Sequence, residues 1–302
     1  MTTFVELLDK GIVQEHVNIG AMTTYRVGGT ARYFIEINTH ELAAEVIPIA
    51  QTSGLPILLI GNGSNLLVAD GEHEVVALHL SGELADMKTE IDGEDVQVFV
   101  GAGMDLPIAA RRLAGEGVTG FEWAVGVPGT FGGAVAMNAG GHGSDMAASV
   151  CSAGVWREGQ FSYWDSAQLD FGYRHSALEP GDVVTEVVLD LSRGIVEESK
   201  DKLSEIVRWR REHQPGGQNA GSVFRNPKGQ SAGELIERSG LKGERIGGAS
   251  VSLKHANFIQ VEGGARAADV AALIQRVHSR VLEVTGVHLL IENRYFGFGA
   301  SR

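Results

Sequence analysis

The run Gly126-Val-Pro-Gly-Thr-Phe-Gly-Gly-Ala134, continuing into Val135-Ala-Met-Asn-Ala-Gly-Gly141, constrains this chain more than any other feature. From 130 to 138 nearly every residue is small, so backbone lies bare of side chains and can approach a ligand or adopt a positive φ. Close packing alone explains the alanines, but not a Pro128-Gly129 step followed by paired glycines. The pattern predicts a short helix opening at Gly129 or Thr130, with its first N–H groups free to face a pyrophosphate. A second cluster, Gly61-Asn-Gly-Ser-Asn65, follows the apolar run Leu55–Ile60 and precedes Leu66-Leu-Val68. A Rossmann fingerprint would need a third glycine at 66 and a helix opening there. Leucine stands at 66, and the pattern resumes as a strand. What remains is a strand–loop–strand corner dense in N–H donors, suited to anionic oxygens as a nest and equally to a tight turn. Together the two cradles predict a dinucleotide held in a non-Rossmann manner.

With 302 residues the chain is too long for one ordinary core and fits two or three domains. Its net charge of −13 disfavours a nucleic-acid binder. The distribution says more. Residues 1–199 hold 9 Lys+Arg against 28 Asp+Glu, whereas residues 200–302 hold 16 against 10. A basic last third on an acidic protein reads either as a solvated helix face or as a domain that attracts an anionic ligand. The single cysteine, Cys151, cannot form an intrachain disulfide, which fits a reducing compartment. The N-terminus lacks the basic start and apolar run of a signal peptide. No stretch approaches the roughly 20 apolar residues of a membrane span. A cytoplasmic location is expected, with no membrane, nucleic-acid or obligate protein partner. No Cys/His cluster has metal-ligand spacing, so no metal is expected.

Short strands are predicted over 32–37, 55–60, 75–80, 96–100 and 183–191, from alternating or wholly apolar runs separated by turn residues. Helical patterns cover 39–53, where Thr39 can cap, and 106–115. The polar stretch 192–200 suggests a domain boundary. Beyond it, helix 199–212, helix 232–239, strand 256–261, helix 267–285 and strand 288–291 suggest a βαβ-like C-terminal domain. The division expected is 1–68 and 69–195, then 196–302.

Five motifs occur in order: GNGSN at 61–65, VGVPGTFGGAVAMNAG at 125–140, FGYRHS at 171–176, GSVFRNP at 221–227 and KHANFIQ at 254–260. This series resembles the UDP-N-acetylenolpyruvoylglucosamine reductase family, and the resemblance runs from Thr24-Tyr-Arg-Val-Gly-Gly29 to Glu292. It implies an α+β chain: a vanillyl-alcohol-oxidase (PCMH-type) FAD-binding fold in two subdomains, followed by a C-terminal α/β substrate-binding domain. FAD and NADPH are the implied cofactors. The implied FAD contacts are Tyr25, Gly61, Asn62, Gly63, Ser64 and Asn65, then Gly126, Val127, Pro128, Gly129, Thr130, Gly132, Gly133, Ala134, Met137 and Asn138. The missing tyrosine-loop insertion resembles the shorter form of the enzyme. Two features depart from the family pattern: Arg225 where lysine is more familiar, and an unusually aromatic ending at 292–299.

Reducing an enolpyruvyl ether takes a hydride at one alkene carbon and a proton at the other, with negative charge building on the carboxylate side between them. The resemblance assigns Arg174 to the carboxylate, which a planar permanent cation matches in two hydrogen bonds. A surface ion pair is its plainer reading. Ser222 is implied as proton donor, a role needing a positive field nearby, with a turn cap as the alternative. Glu292 is implied as partner of the enolic intermediate, where it helps only if protonated or hydrogen-bonded to the enol. A salt bridge to Arg294 is the alternative. Arg225, Asn226 and Lys254 are the implied substrate contacts. A flavin oxidase of the same fold, or a non-catalytic nucleotide-sugar binder, would explain part of the pattern. Anaerobic bleaching by NADPH separates the reductase from the oxidase, and a colourless preparation that cannot be reconstituted with FAD would favour the binder.

Overall fold

The computed structural model describes residues 4–299. The chain runs α1 (Phe4–Asp9), β1 (Gln14–Asn18), β2 (Thr30–Ile37), α2 (His40–Thr52), β3 (Ile57–Leu59), β4 (Leu66–Val68) and β5 (Glu72–Leu80). It continues through β6 (Met87–Asp92), β7 (Asp95–Gly101), α3 (Leu106–Gly115), β8 (Val118–Thr119), α4 (Phe131–Met137), β9 (Gly140–Gly141) and β10 (Ser144–Asp145). Next come β11 (Val150–Arg157), β12 (Gln160–Asp165), α5 (Ser166–Leu169), β13 (Val183–Arg193) and α6 (Val196–His213). The last part holds α7 (Ala232–Arg238), β14 (Arg245–Ile246), β15 (Ala249–Val251), β16 (Ile259–Val261), α8 (Ala267–Thr285) and β17 (Arg294–Phe296). Two compact units are interleaved along the sequence. The first takes residues up to His16, then Arg32–Gly61 and Glu74–Arg210; the second takes Val17–Ala31, Asn62–His73 and Arg211 onward. The polar stretch after 191 is therefore not where the units part: the break falls inside α6. No helix among the described residues is long and apolar enough to cross a membrane.

The first unit is built on a sheet in the order β12-β11-β13-β7-β6, with β8 joined to β13. Its register follows period-two burial. Along β13, Val183, Val187, Leu189 and Leu191 turn inward while Asp190 and Ser192 are exposed, and Val96, Val98 and Val100 of β7 share the inner face. Against it packs α3, which has the predicted bounds, starts with Pro107 in its first turn and buries Leu106, Ala109, Ala110 and Leu113. A four-stranded sheet, β1-β2-β5-β3, lies for most of its length in this unit. Thr39 caps α2 as expected, its hydroxyl accepting from the Leu42 N–H at 3.1 Å. In α6 only Ser199 and Leu203 are buried, and Val207 and Trp209 keep much of their surface exposed.

Glu122 is the polar knot of this core. Its carboxylate accepts from Thr119 Oγ1 at 2.7 Å, Ser199 Oγ at 2.7 Å and the Gly120 N–H at 2.9 Å, tying the start of α6 to the turn after β8. Burial pushes its pKa up, but these hydrogen bonds outweigh burial and hold it below the ordinary carboxylate value. A carboxyl whose folded pKa is depressed stabilises the fold above its unfolded pKa, about 4.3, and that contribution is lost as pH falls through the folded value. Glu122→Gln is therefore expected to lower stability at neutral pH and to flatten its fall on acidification. Urea midpoints at pH 7 and pH 4 check this. A wild-type slope in the variant would refute it.

In the second unit β14, β15 and β16 form an antiparallel sheet, and β17 pairs in parallel with β4. The expected βαβ pattern gives way here, because neighbouring strands close through short turns rather than through helices. The expected strand 288–291 is also replaced. Only a bridge, Phe224 to Ile291, forms there, and the strand lies at 294–296 in the aromatic ending. Helix α8 has its predicted bounds and buries Val270, Leu273, Ile274, Val277 and Val281. Its first N–H groups, at Ala267 and Ala268, donate to the Asp70 carboxylate at 3.1 and 3.0 Å, where a negative charge favours the helix end.

Asn257 holds the centre of this unit. Its side chain mimics a peptide, accepting from the Phe224 N–H at 2.9 Å and donating to the Phe224 carbonyl at 2.8 Å, while its own carbonyl accepts from the Val223 N–H at 2.8 Å. Asn257→Leu orphans both buried groups of Phe224 and is expected to destabilise by about 3 kcal/mol. Asn257→Asp, which keeps the acceptor, should lie between. Chemical unfolding at the wild-type midpoint for the leucine variant would overturn this.

Candidate active site

In the first unit Gly61, the first residue of the shorter glycine cluster, meets the longer one. A Cβ on Gly61 would lie 2.3 Å from Thr130 Oγ1, so the end of the Leu55–Ile60 run abuts the longer glycine loop only because glycine stands at 61. His79 Nδ1 contacts the Ile60 carbonyl at 2.8 Å and fixes that strand end. Helix α4 opens after Thr130 as predicted. Its first N–H groups, however, are not free. Phe131 N–H donates to the Met104 carbonyl at 3.0 Å and Gly132 N–H to the Ala102 carbonyl at 2.8 Å, because the loop edge is stitched to the segment after β7. Accessible surface is left instead at Val127, Pro128, Gly129, Gly132, Gly133 and Met137, while Gly126, Thr130, Ala134 and Asn138 are buried.

Asn138 ends α4 in the left-handed region, at φ 41°. Its amide donates to the Gly172 carbonyl at 2.9 Å and to Asp145 Oδ2 at 3.3 Å, and its Oδ1 accepts from the Ala147 N–H at 3.0 Å. The side chain is thus occupied by the protein. Gly172 and His175 exchange backbone hydrogen bonds at 3.0 and 3.1 Å, leaving Tyr173 and Arg174 at the apex of a tight turn. Arg174 has φ 55°, where glycine or asparagine is usual, a strain that residues at functional sites tend to carry. Its Nη2 donates to the Gly140 carbonyl at 3.0 Å and its Nη1 to the Asn138 carbonyl at 3.5 Å, and Ser176 Oγ donates to the Ala136 carbonyl at 3.1 Å. The turn bearing the arginine is sewn to the end of the glycine loop.

In the second unit the rest of GNGSN packs against the 20–25 segment. A Cβ at Gly63, which has φ 56°, would strike Thr23 Cα at 2.5 Å, and Thr24 N–H donates to the Gly63 carbonyl at 3.2 Å. Asn65 Nδ2 donates to the Glu292 carbonyl at 3.2 Å, and its Oδ1 accepts from Asn293 Nδ2 at 2.8 Å. Asn62, Ser64 and Asn65 keep accessible surface. Tyr25 does not fit its expected role. It is fully buried, its hydroxyl bonds to Asn293 Oδ1 at 3.3 Å, and burial drives its pKa up, so its ring is core rather than ligand surface.

Ser222 and Glu292 lie on adjoining extended segments. The Glu292 N–H donates to the Val223 carbonyl at 2.7 Å and the Arg225 N–H to the Leu290 carbonyl at 2.8 Å, while Ser222 bridges Phe258 on the other side. Ser222 is half-buried, and its hydroxyl has no partner among the described residues, which removes the turn-cap reading. Asn226 Oδ1 accepts from the Ala232 N–H at 3.0 Å, at the start of α7. Lys254 Nζ donates to the Arg211 carbonyl in the last turn of α6, where a cation suits the helix end. Arg294 entered the sequence reading only as a salt-bridge partner for Glu292. Burial first, and the Arg225 charge second, push its guanidinium pKa down, and Arg225 and Arg294 lie on the same two hydrogen-bonded segments as Ser222 and Glu292. Only its place two residues after Glu292 signalled it.

Residues 31–158 match an FAD binding domain, and residues 213–296 match the C-terminal domain of UDP-N-acetylenolpyruvoylglucosamine reductase. A relative of that name in Symbiobacterium thermophilum is 40% identical over 293 residues, covering 96% of this chain and 94% of its own. The chain belongs to the UDP-N-acetylenolpyruvoylglucosamine reductase family. A Heliobacterium modesticaldum member is 42% identical over 280 residues, covering 91% of this chain and 88% of its own. The crystal structure of the reductase from Thermus caldophilus superposes with a TM-score of 0.81 at 38% identity, over 93% of this chain and 98% of that one. The fold is accordingly the expected FAD-binding fold followed by the family's C-terminal domain.

The residues of this family member suit FAD. Gly129, Gly132 and Gly133 leave accessible backbone on either side of Thr130, which abuts Gly61, and Gly133 has open space where a side chain would stand, its nearest neighbour 3.8 Å away. That is room for an elongated ligand to lie on main chain.

Proposed function

We propose that this chain reduces UDP-N-acetylglucosamine enolpyruvate to UDP-N-acetylmuramate with FAD and NADPH, in the cytoplasm, for peptidoglycan precursor synthesis. The observation that carries the reading is a half-buried serine hydroxyl without a partner among the described residues, on a segment hydrogen-bonded to the one that bears Glu292. Bound flavin supplies the hydride, taken from NADPH and passed to the substrate alkene. Arg174 grips the substrate carboxylate, and the left-handed turn and its two carbonyl partners aim the guanidinium before substrate arrives. Ser222 delivers the proton to the carbanionic carbon, and the positive field of Arg225 and Arg294 makes the hydroxyl a stronger acid. Glu292 steadies the enolic form.

The same two arginines, with Asn226 and Lys254, account for the basic last third as a landing site for a diphosphate. The FAD contacts proposed are Gly61, Asn62, Gly63, Ser64 and Asn65 in the first loop and Val127, Pro128, Gly129, Gly132, Gly133 and Met137 in the second. Gly126, Thr130, Ala134 and Asn138 shape the loop from beneath. The division of the FAD-binding part into two subdomains near residue 68 belongs to this proposal. Anaerobic titration with NADPH, then reoxidation by the enolpyruvyl sugar nucleotide, tests the whole reading. A flavin bleached by NADPH but reoxidised only by oxygen would refute it.

A further inference from the structure

The hairpin Gly140–Asp145 pairs Gly141 with Ser144 and Gly140 with Asp145, leaving His142 and Gly143 as a two-residue loop. Both have positive φ, 54° and 90°, the signature of a type I′ turn. Histidine in the first loop position is strained, since asparagine, aspartate or glycine is the usual occupant. Such strain persists only where the surroundings hold it. They do so here through the ring. A Cβ on Gly126 would lie 2.6 Å from His142 Cδ2 and Nε2, so the imidazole rests directly on the glycine loop. Its other side meets Trp209 of α6 edge to face, centroids 5.2 Å apart and planes at 88°. The tip residue is exposed overall, yet its ring touches the loop on one side and the helix on the other. The hairpin base supplies the Gly140 carbonyl that receives Arg174 Nη2 at 3.0 Å.

We propose that His142 is a positioning residue for Arg174: its ring pegs the 140–145 hairpin and so fixes the carbonyl that aims the guanidinium. The inference rests on the reading of Arg174 as the carboxylate partner. Burial first, and the Arg210 charge second, push the imidazole pKa below the ordinary histidine value, so the peg is a neutral ring at neutral pH. What matters is then the ring, not its proton.

The test compares FAD-loaded wild type, His142→Ala, His142→Phe, Arg174→Ala and the double variant His142→Ala/Arg174→Ala, with NADPH bleaching and substrate reoxidation followed separately. His142→Ala is expected to retain flavin absorbance and NADPH bleaching, yet to slow reoxidation about a hundredfold, as misplaced catalytic groups do. His142→Phe should recover most of that loss, and His142→Ala should add nothing once Arg174 is alanine. Loss of bound FAD in His142→Ala, failure of phenylalanine to rescue, or additive losses in the double variant would each overturn the inference. A wild-type protein that the enolpyruvyl substrate cannot reoxidise would overturn the functional reading beneath it. A wild type that turns over beside an unimpaired His142→Ala would overturn this inference alone.

Discussion

Ser222→Ala is expected to keep its FAD and to bleach normally with NADPH, while reduction of the enolpyruvyl substrate falls about a thousandfold, within the range of a lost general acid. The structure makes the experiment clean. The hydroxyl has no partner among the described residues, so its removal orphans no buried group. The backbone at 222–225 is held by others: Val223 N–H to Asn257, Phe224 to the Asn257 amide, and Val223 carbonyl to Glu292. Truncation should therefore take away a proton and little else. A serine is a poor acid in water, so the assignment depends on its field. In the proposed mechanism Arg225 and Arg294 supply that field, and the Arg225 charge is the second cause, after burial, of the lowered pKa of Arg294. Two outcomes would sink the assignment. Undiminished turnover would mean another group delivers the proton, and a parallel loss of NADPH bleaching would mean Ser222 acts in holding the flavin.

Much of this was legible in the chain, for reasons that differ by scale. Helices α3 and α8 have the bounds that apolar periodicity gave them, because each buries one continuous face. Strands β7 and β13 were readable from alternation for the same reason, and β5 from a continuous apolar run, Val75–Leu78, that is buried throughout. The C-terminal pairing was not. Segment 288–291 is apolar enough for a strand, but the ladder partner of its neighbourhood is Leu66–Val68, more than 200 residues earlier, and that choice moves the strand to 294–296. Long-range side-chain amides leave no periodic trace at all. Asn65 binding Asn293, Asn138 binding Gly172 and Asn257 gripping Phe224 are each invisible until the segments meet. Two of those asparagines lie in motifs read as ligand contacts, and the structure gives their amides protein partners. Tyr25 was misread for a related reason: a motif tyrosine beside a glycine loop signals function or core equally well, and burial alone decides.

The other large effect expected is on FAD binding, from the smallest possible change. Gly61→Ala should weaken FAD binding about tenfold to a hundredfold, the equivalent of the 1–3 kcal/mol that overpacking typically costs. Position 61 does not need a positive φ, so alanine suits the backbone there, and the penalty is wholly steric. The new Cβ would lie 2.3 Å from Thr130 Oγ1, 3.1 Å from Cγ2 and 3.2 Å from Cβ. Thr130 cannot retreat, because the next two N–H groups are bonded to the Met104 and Ala102 carbonyls. Thr130→Ala removes the two nearest atoms and should restore most of the lost affinity, a coupling that distant sites do not show. Gly133→Ala separates crowding within the protein from crowding of the ligand. Its Cβ would meet nothing nearer than Thr130 Oγ1 at 3.8 Å, so the apoprotein should unfold at the wild-type midpoint. If the cofactor lies on this backbone, its affinity must still fall. Full FAD affinity in Gly133→Ala would place the ligand elsewhere, and full affinity in Gly61→Ala would show the two loops free to part.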